Sequence, residues 1–320
     1  MTIWRQGQFY PELGKTIVEL AGHIAPGPSD DMISLLGFHI IPDRNGDYIS
    51  GHKDEPYSFE EQDAIHTYAI IRMIIDIYEN LLEHPVEWPW WGADSREPLL
   101  VDIRNADINA RYIKEQRLIE LDHYGPPNEQ IYTCRSVDLI AHETAHVILD
   151  SLKPGWSNGV VETRGLVEAF CDLSSMFFVL SQIELCEVAM SENQGDLKTN
   201  SILSLFGVGY GFTNQPKKAI RSAVNNVFYQ QGDWDCYNYS QLVIGILYEI
   251  LTRIFNDNRN LHSNDVDALF HSGILWTKRT VNSFLACQYE NSSIADFCLS
   301  LQNEFADYDL ESLLKKRKII

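Results

Sequence analysis

The stretch "VDLIAHETAHVILDSL", residues 137–152, sets His142, Glu143 and His146 into an otherwise apolar run. Polarity buried in this way needs a partner, because an imidazole or carboxylate withdrawn from water without one is costly. On a helix, positions i and i+4 lie on one face a turn apart, so His142 and His146 present two imidazoles to one point. That is the arrangement of two zinc ligands. Glu143 projects about 100° further round the helix, off the line of the metal yet near enough to hold a water there, which is the place of a general base.

A catalytic zinc takes three protein ligands and keeps a fourth position open. The next helical stretch, "ETRGLVEAFCDLSSMF" (residues 162–177), supplies two carboxylates, Glu168 and Asp172, again at i and i+4. A metal would take one of them. The other is then placed to accept the free ring N–H of a ligand histidine and so fix its tautomer.

Upstream, Ser58 and Glu61 form a capping box that opens a long helix, "AIHTYAIIRMIIDIYENLL", running to about Leu82 and stopped before Pro85. His66 inside it reads as a core or helix-face histidine. "EWPWWG" (87–92) reads as an aromatic loop capping a core. Residues 99–133 alternate and are rich in Ile, Leu, Val and Tyr, which predicts two or three strands ending at Pro126-Pro127. The first 57 residues are irregular, apart from "FHIIPDRNGDYISG" (38–51), which reads as a hairpin about Asn45-Gly46. Downstream of the helix stop "KPGWSNG" (153–159), helical periodicity covers roughly 163–187, 241–256, 265–287 and 293–315. "FGVGYGF" (206–212) reads as a flexible loop, and "KKRK" (315–318) as a solvated helix end.

With 320 residues, 45% hydrophobic and 22% charged, the chain can build one large domain or two lobes. A formal charge of −20 argues against nucleic acid or an anionic membrane as partner, since either polyanion would be repelled. A peptide-like or small ligand fits better. No apolar run reaches the roughly 18 residues of a membrane span. The start lacks the n-region and h-region of a signal peptide, and the six cysteines contain no Cys-x-x-Cys pair. A cytoplasmic location with reduced thiols is expected.

"HETAH" (142–146) followed by "ETRGLVEAFCD" (162–172) resembles the thermolysin-like zinc metallopeptidases, whose second helix carries a Glu-x-x-x-Asp of this form. The resemblance implies an α+β, two-lobed zincin-like fold, with a mostly β N-terminal lobe, the active-site helix and a helical C-terminal lobe. It implies one Zn2+ per chain held by His142, His146 and Glu168, with Asp172 orienting a ligand and Glu143 as general base. "INARYIKEQRLIEL" (108–121) looks like the family's edge strand, where Asn109 and Ala110 would bond the substrate backbone. "KKAIRSAVN" (217–225) is similar to the segment bearing a substrate-carbonyl arginine, here Arg221. "DCYNYSQLVIGILYEIL" (235–251) resembles a helix beginning His-x-x-Ser, and aligning Ser240 and Tyr248 puts Tyr237 where the family has a histidine donor to the transition state. Gly159 falls near a tyrosine position of the family.

The expected organisation is an N-terminal extension over 1–57, a catalytic lobe over 58–155 and a helical lobe over 156–320. The expected activity is zinc-dependent endopeptidase cleavage of a peptide or protein substrate with narrow intracellular specificity. The alternative is a catalytically silent zinc-binding domain that serves as a protein-interaction platform. Glu143 separates the two, because a silent domain has no use for a carboxylate that is not a ligand.

Overall fold

The computed structural model describes residues 1–7, 10–22, 24–49, 56–92, 94–104, 109–125, 130–208, 218–230, 232–287 and 290–320. Long helices and small sheets combine into an α+β architecture of two compact units, and the chain passes between them within its first two helices. One unit comprises residues 1–78, 85–148 and 207–220, and the other residues 79–84, 149–206 and 221–320. No single helix among the described residues is long and apolar enough to cross a membrane.

In the first unit, β1 (Thr2–Trp4) and β2 (Lys15–Ile17) pair antiparallel. The main sheet is built from β3 (Ile33–Leu35), β4 (Leu99–Asp102), β5 (Ala110–Ile113) and β6 (Leu118–Leu121), in the order β3-β4-β6-β5. The first three neighbours run parallel, while β5 pairs antiparallel with β6 and forms an edge. Along β4, Leu99 and Val101 are buried and Leu100 and Asp102 half-buried, the two-residue period of a strand with one core face. A short antiparallel pair, β7 (His123–Tyr124) and β8 (Ile131–Tyr132), leads into the histidine helix. The expected stop at Pro126-Pro127 lies outside the described residues.

Helix α1 (Phe59–Leu82) opens on the expected capping box. The Ser58 N–H donates to Glu61 Oε2 at 2.8 Å, and the Glu61 N–H to Ser58 Oγ at 3.2 Å. The helix gives way at Glu83, whose φ of 61° leaves the helical region. Trp88 caps the core as expected, 2% exposed, with its indole N–H on the Met32 carbonyl at 2.8 Å.

Two expectations change in this unit. Residues 1–57 are not a separate extension. Gly7 bridges Ser136 immediately ahead of the second helix, α2 (Val137–Leu152), and at φ +115° a Cβ on Gly7 would meet the Arg135 carbonyl oxygen at 2.2 Å. At Asn45-Gly46 the turn is present, with Asp43 Oδ1 accepting the N–H groups of Asn45 and Asp47 at 2.8 and 2.9 Å, but its flanks form no ladder among the described residues. Ile40 instead bridges Gly27, and Ser50 and Gly51 lie outside the described residues.

His66 on α1 is 1% exposed; its Nδ1 accepts the Trp4 N–H at 3.2 Å, and its Nε2 is buried with no hydrogen-bond partner among the described residues. Burial first, then Lys15 and Arg135, pushes this imidazole down to about 3. The unfolded chain therefore takes up a proton near pH 6.5 that the folded chain refuses until about pH 3. Across that window stability falls as pH falls, by about 1.4 kcal/mol per unit, or about 3 kcal/mol by pH 4.5. Urea titrations at pH 7 and 4.5 should show His66→Gln losing correspondingly less stability than wild type. Equal acid losses would mean His66 protonates at no penalty.

The second unit is helical. Its elements are α3 (Val161–Leu180), α4 (Ile183–Glu192), the short pair β9 (Leu205–Phe206) and β10 (Arg221–Ser222), α5 (Cys236–Asn258), α6 (Asp265–Ala286), α7 (Ile294–Glu304) and α8 (Leu310–Lys316). Helix α3 is buried almost throughout, and α5 packs on it so closely that a Cβ at Gly165 would meet Tyr239 Cβ at 2.4 Å. Lys153, 2% exposed, ties the turn after α2 to the end of α6 by donating to the Leu285 and Cys287 carbonyls at 2.6 and 2.9 Å.

Helix limits here differ from the periodicity. The 163–187 stretch is two helices bent by 101° at Ser181-Gln182. The 293–315 stretch breaks after Glu304 and restarts at Asp309, whose side chain accepts the Ser312 N–H at 3.1 Å. Helix α5 begins five residues before the expected 241, where Asp235 accepts the Asn238 N–H at 2.9 Å. "KKRK" is not solvated throughout, since Arg317 is only 2% exposed.

Candidate metal centre

Of the residues expected at the site, His142, Glu143 and His146 stand on α2, in the first unit. Asp138 in its first turn is 6% exposed and holds the helix start. One carboxylate oxygen accepts the Leu139 N–H at 3.0 Å and the Ser136 hydroxyl, and the other accepts the N–H groups of Gly207 and Val208 at 2.7 and 3.3 Å. Burial drives this carboxyl above the usual carboxylate range, against the pull of those four donors. The bonds to Gly207 and Val208 bind a distant segment to the start of the histidine helix. Gly209 and Gly211 of the same segment lie outside the described residues.

One turn further along, His142 is 9% exposed and His146 half-buried. Their Nε2 atoms lie 3.2 Å apart, with the rings 4.9 Å apart at 76°. Two nitrogens on a tetrahedral zinc at bonds of 2.0–2.1 Å would be separated by about 3.3 Å. The pair is therefore spaced to hold a metal ion. Glu143 is 5% exposed and makes no hydrogen bond or ion pair among the described residues. A buried carboxylate without a protein partner carries a desolvation cost that folding does not need.

Glu168, Asp172, Arg221 and Tyr237 belong to the second unit, on α3, β10 and α5. Glu168 is half-buried, and Asp172, one turn on, is 2% exposed. Strand β10 pairs Arg221 with Phe206 of β9 and delivers its guanidinium to Asp172, with Nε to Oδ2 at 2.6 Å and Nη2 to Oδ1 at 2.8 Å. Burial alone would lower the Arg221 pKa, but Asp172, Glu168 and Tyr237 together hold it above its ordinary value. Arg221 Nη1 has no hydrogen bond among the described residues. Asp172 and Arg221 thus form one bidentate pair, across a separation of 49 positions in the chain.

Tyr237, in the first turn of α5, is 47% exposed and lays its ring against the Arg221 guanidinium, 5.3 Å from centroid to Cζ. Gly159 has no room for a side chain, because a Cβ would meet Thr163 Cβ at 2.9 Å and the Trp156 carbonyl oxygen at 3.1 Å. The tyrosine of the resembled family has no counterpart there.

In the first unit, Ala110 opens the edge strand β5, and the Asn109 carbonyl accepts the Asp122 N–H at 3.1 Å. Both residues are half-buried. Asp138 and Cys171 were missed in the sequence. The first carries the weak signal of an acid in a helical first turn, where the macrodipole favours it. Cys171, fully buried on α3 three residues after Glu168, is a thiol with metal-ligand chemistry. No protein-family model and no curated protein matches this chain.

Proposed function

We propose that the chain is a zinc-dependent endopeptidase whose metal is held by His142, His146 and Glu168, one ion per chain. The observation that supports this most strongly is the 3.2 Å approach of the two Nε2 atoms beside Glu143, a carboxylate with no hydrogen-bond or ionic partner among the described residues. Helix α3 also carries Cys171, a buried thiol with metal-ligand chemistry, as an alternative third donor to Glu168. Zinc, when bound, supplies a Lewis acid that acidifies water and polarises a carbonyl.

The residues of the chain divide the remaining work. Glu143 takes the proton of the attacking water and returns it to the leaving amine. Arg221, anchored by Asp172 through two of its nitrogens, offers Nη1 to a substrate carbonyl. The edge strand at Asn109 and Ala110 pairs with an extended peptide backbone. Tyr237 donates its phenol to the developing oxyanion.

Metal analysis separates the ligand sets. Wild type should carry about one zinc, Glu168→Ala should lose it and Cys171→Ser should keep it. The opposite pattern would give the third position to Cys171, and a wild type without stoichiometric zinc would end the proposal. A peptide-library digest read by mass spectrometry, with and without chelator, then tests cleavage. In that assay Tyr237→Phe should lower kcat by about 10²-fold with zinc content unchanged, and a silent variant would remove the phenol from the mechanism.

A further inference from the structure

The buried arginine of "KKRK" leads to a second site. Arg317 lines a cavity of about 380 Å³ within the helical unit, together with Lys198 after α4, Asn225 beyond β10, Gly245 and Glu249 on α5, and Lys316 on α8. In a chain where 45 acids face 25 bases, three of the four charged residues around this cavity are cationic. Glu249 is the one carboxylate, and it is shared, 3.0 Å from Lys316 Nζ and 3.7 Å from both Arg317 Nη2 and Arg253 Nη2. Lys198 forms no ion pair among the described residues. Positive charge is in surplus.

The guanidinium is also fixed in place. Arg317 Nη1 donates to Asn225 Oδ1 at 3.0 Å and the Val227 carbonyl at 2.8 Å, and Nη2 to the Asn225 carbonyl at 3.0 Å. These acceptors are neutral, so they orient the cation without cancelling its charge. Its Nε is buried and has no hydrogen-bond partner among the described residues. The recess itself depends on a missing side chain. A Cβ on Gly245, in mid-helix, would meet Asn225 Oδ1 at 2.5 Å and Arg317 Nη2 at 3.0 Å. A glycine in a helix interior is unfavourable without a packing reason, and here it lets the amide and the guanidinium reach the helix backbone.

We propose that this cavity binds a small oxyanion, a phosphorylated or polycarboxylate compound, with Arg317 and Lys198 as its principal cationic contacts. The volume falls at the lower end of the roughly 300–1,000 Å³ range of small-molecule sites, and a fixed guanidinium is suited to the planar or forked oxygens of either group. The site shares no residue with the proposed metal centre and does not depend on peptidase activity.

Calorimetric titration of the whole chain with inorganic phosphate and, separately, with citrate tests the idea, alongside amide NMR shifts. At least one probe should bind saturably and shift the amides of Lys198, Asn225 and Gly245. Binding of phosphate alone assigns a phosphoryl ligand, and binding of citrate alone a carboxylate one. Lys198→Glu, an exposed change that leaves the fold untouched, should weaken the affinity by about tenfold or more. No saturable binding of either probe up to ~10 mM, an unchanged affinity in Lys198→Glu, or shifts confined to other regions would overturn the proposal.

Discussion

Glu143→Gln is expected to fold, keep its zinc and lose turnover by about 10²–10⁴-fold, the range over which a positioned general base acts. The substitution keeps the shape of the side chain and removes only its basicity. Because Glu143 has no hydrogen-bonding or ionic partner among the described residues, the amide breaks no existing bond, so circular dichroism and melting should match wild type. The loss should appear in kcat with KM little changed, the pattern of an interaction made in the transition state. Turnover equal to wild type would remove Glu143 from the mechanism and favour a silent zinc-binding domain. Loss of zinc would instead make Glu143 a ligand.

Asp172→Ala should destabilise the fold strongly, by about 3–5 kcal/mol, because it strands the Arg221 guanidinium. Asp172 is 2% and Arg221 16% exposed on the side chain, so little water can replace the lost carboxylate. The test is a double-mutant cycle by urea denaturation. Asp172→Ala combined with Arg221→Met should recover most of the loss, since removing both charges of a buried pair leaves none uncompensated. A single-variant loss below about 1 kcal/mol would mean that the pair is screened as a surface ion pair would be.

Features set by neighbours in sequence were readable from it. The Ser58–Glu61 box lies within one turn, and the imidazoles of His142 and His146 are brought together by helix pitch alone. The turn at Asn45-Gly46 is equally local, but whether its flanks pair is decided by Ile40 meeting Gly27, which no short window contains. The break at Ser181-Gln182 carries no proline or glycine, so hydrophobic periodicity runs straight through it. Arg317 sits in a run of basic residues and looks solvated, because its acceptors lie about ninety positions earlier. Asp138 is hidden for the same reason, with two of its donors at Gly207 and Val208. The parallel order of β3, β4 and β6 depends on strand pairings that alternation cannot specify.

Gly165 has a consequence for reach. It stands one turn before Glu168 and two before Asp172 on α3, and a Cβ there would collide with Tyr239 and approach the Cys236 carbonyl oxygen, at 3.1 Å, in the first turn of α5. Tyr237 lies between those two residues in sequence. The seam of the two helices therefore works as a caliper, closed to the thickness of two backbones at the level where the phenol meets Arg221. Rotation of the tyrosine side chain can adjust its aim, but the distance is gauged by the helices themselves. Any larger residue at position 165 would open the jaws, lifting the phenol away from the arginine without altering either of them.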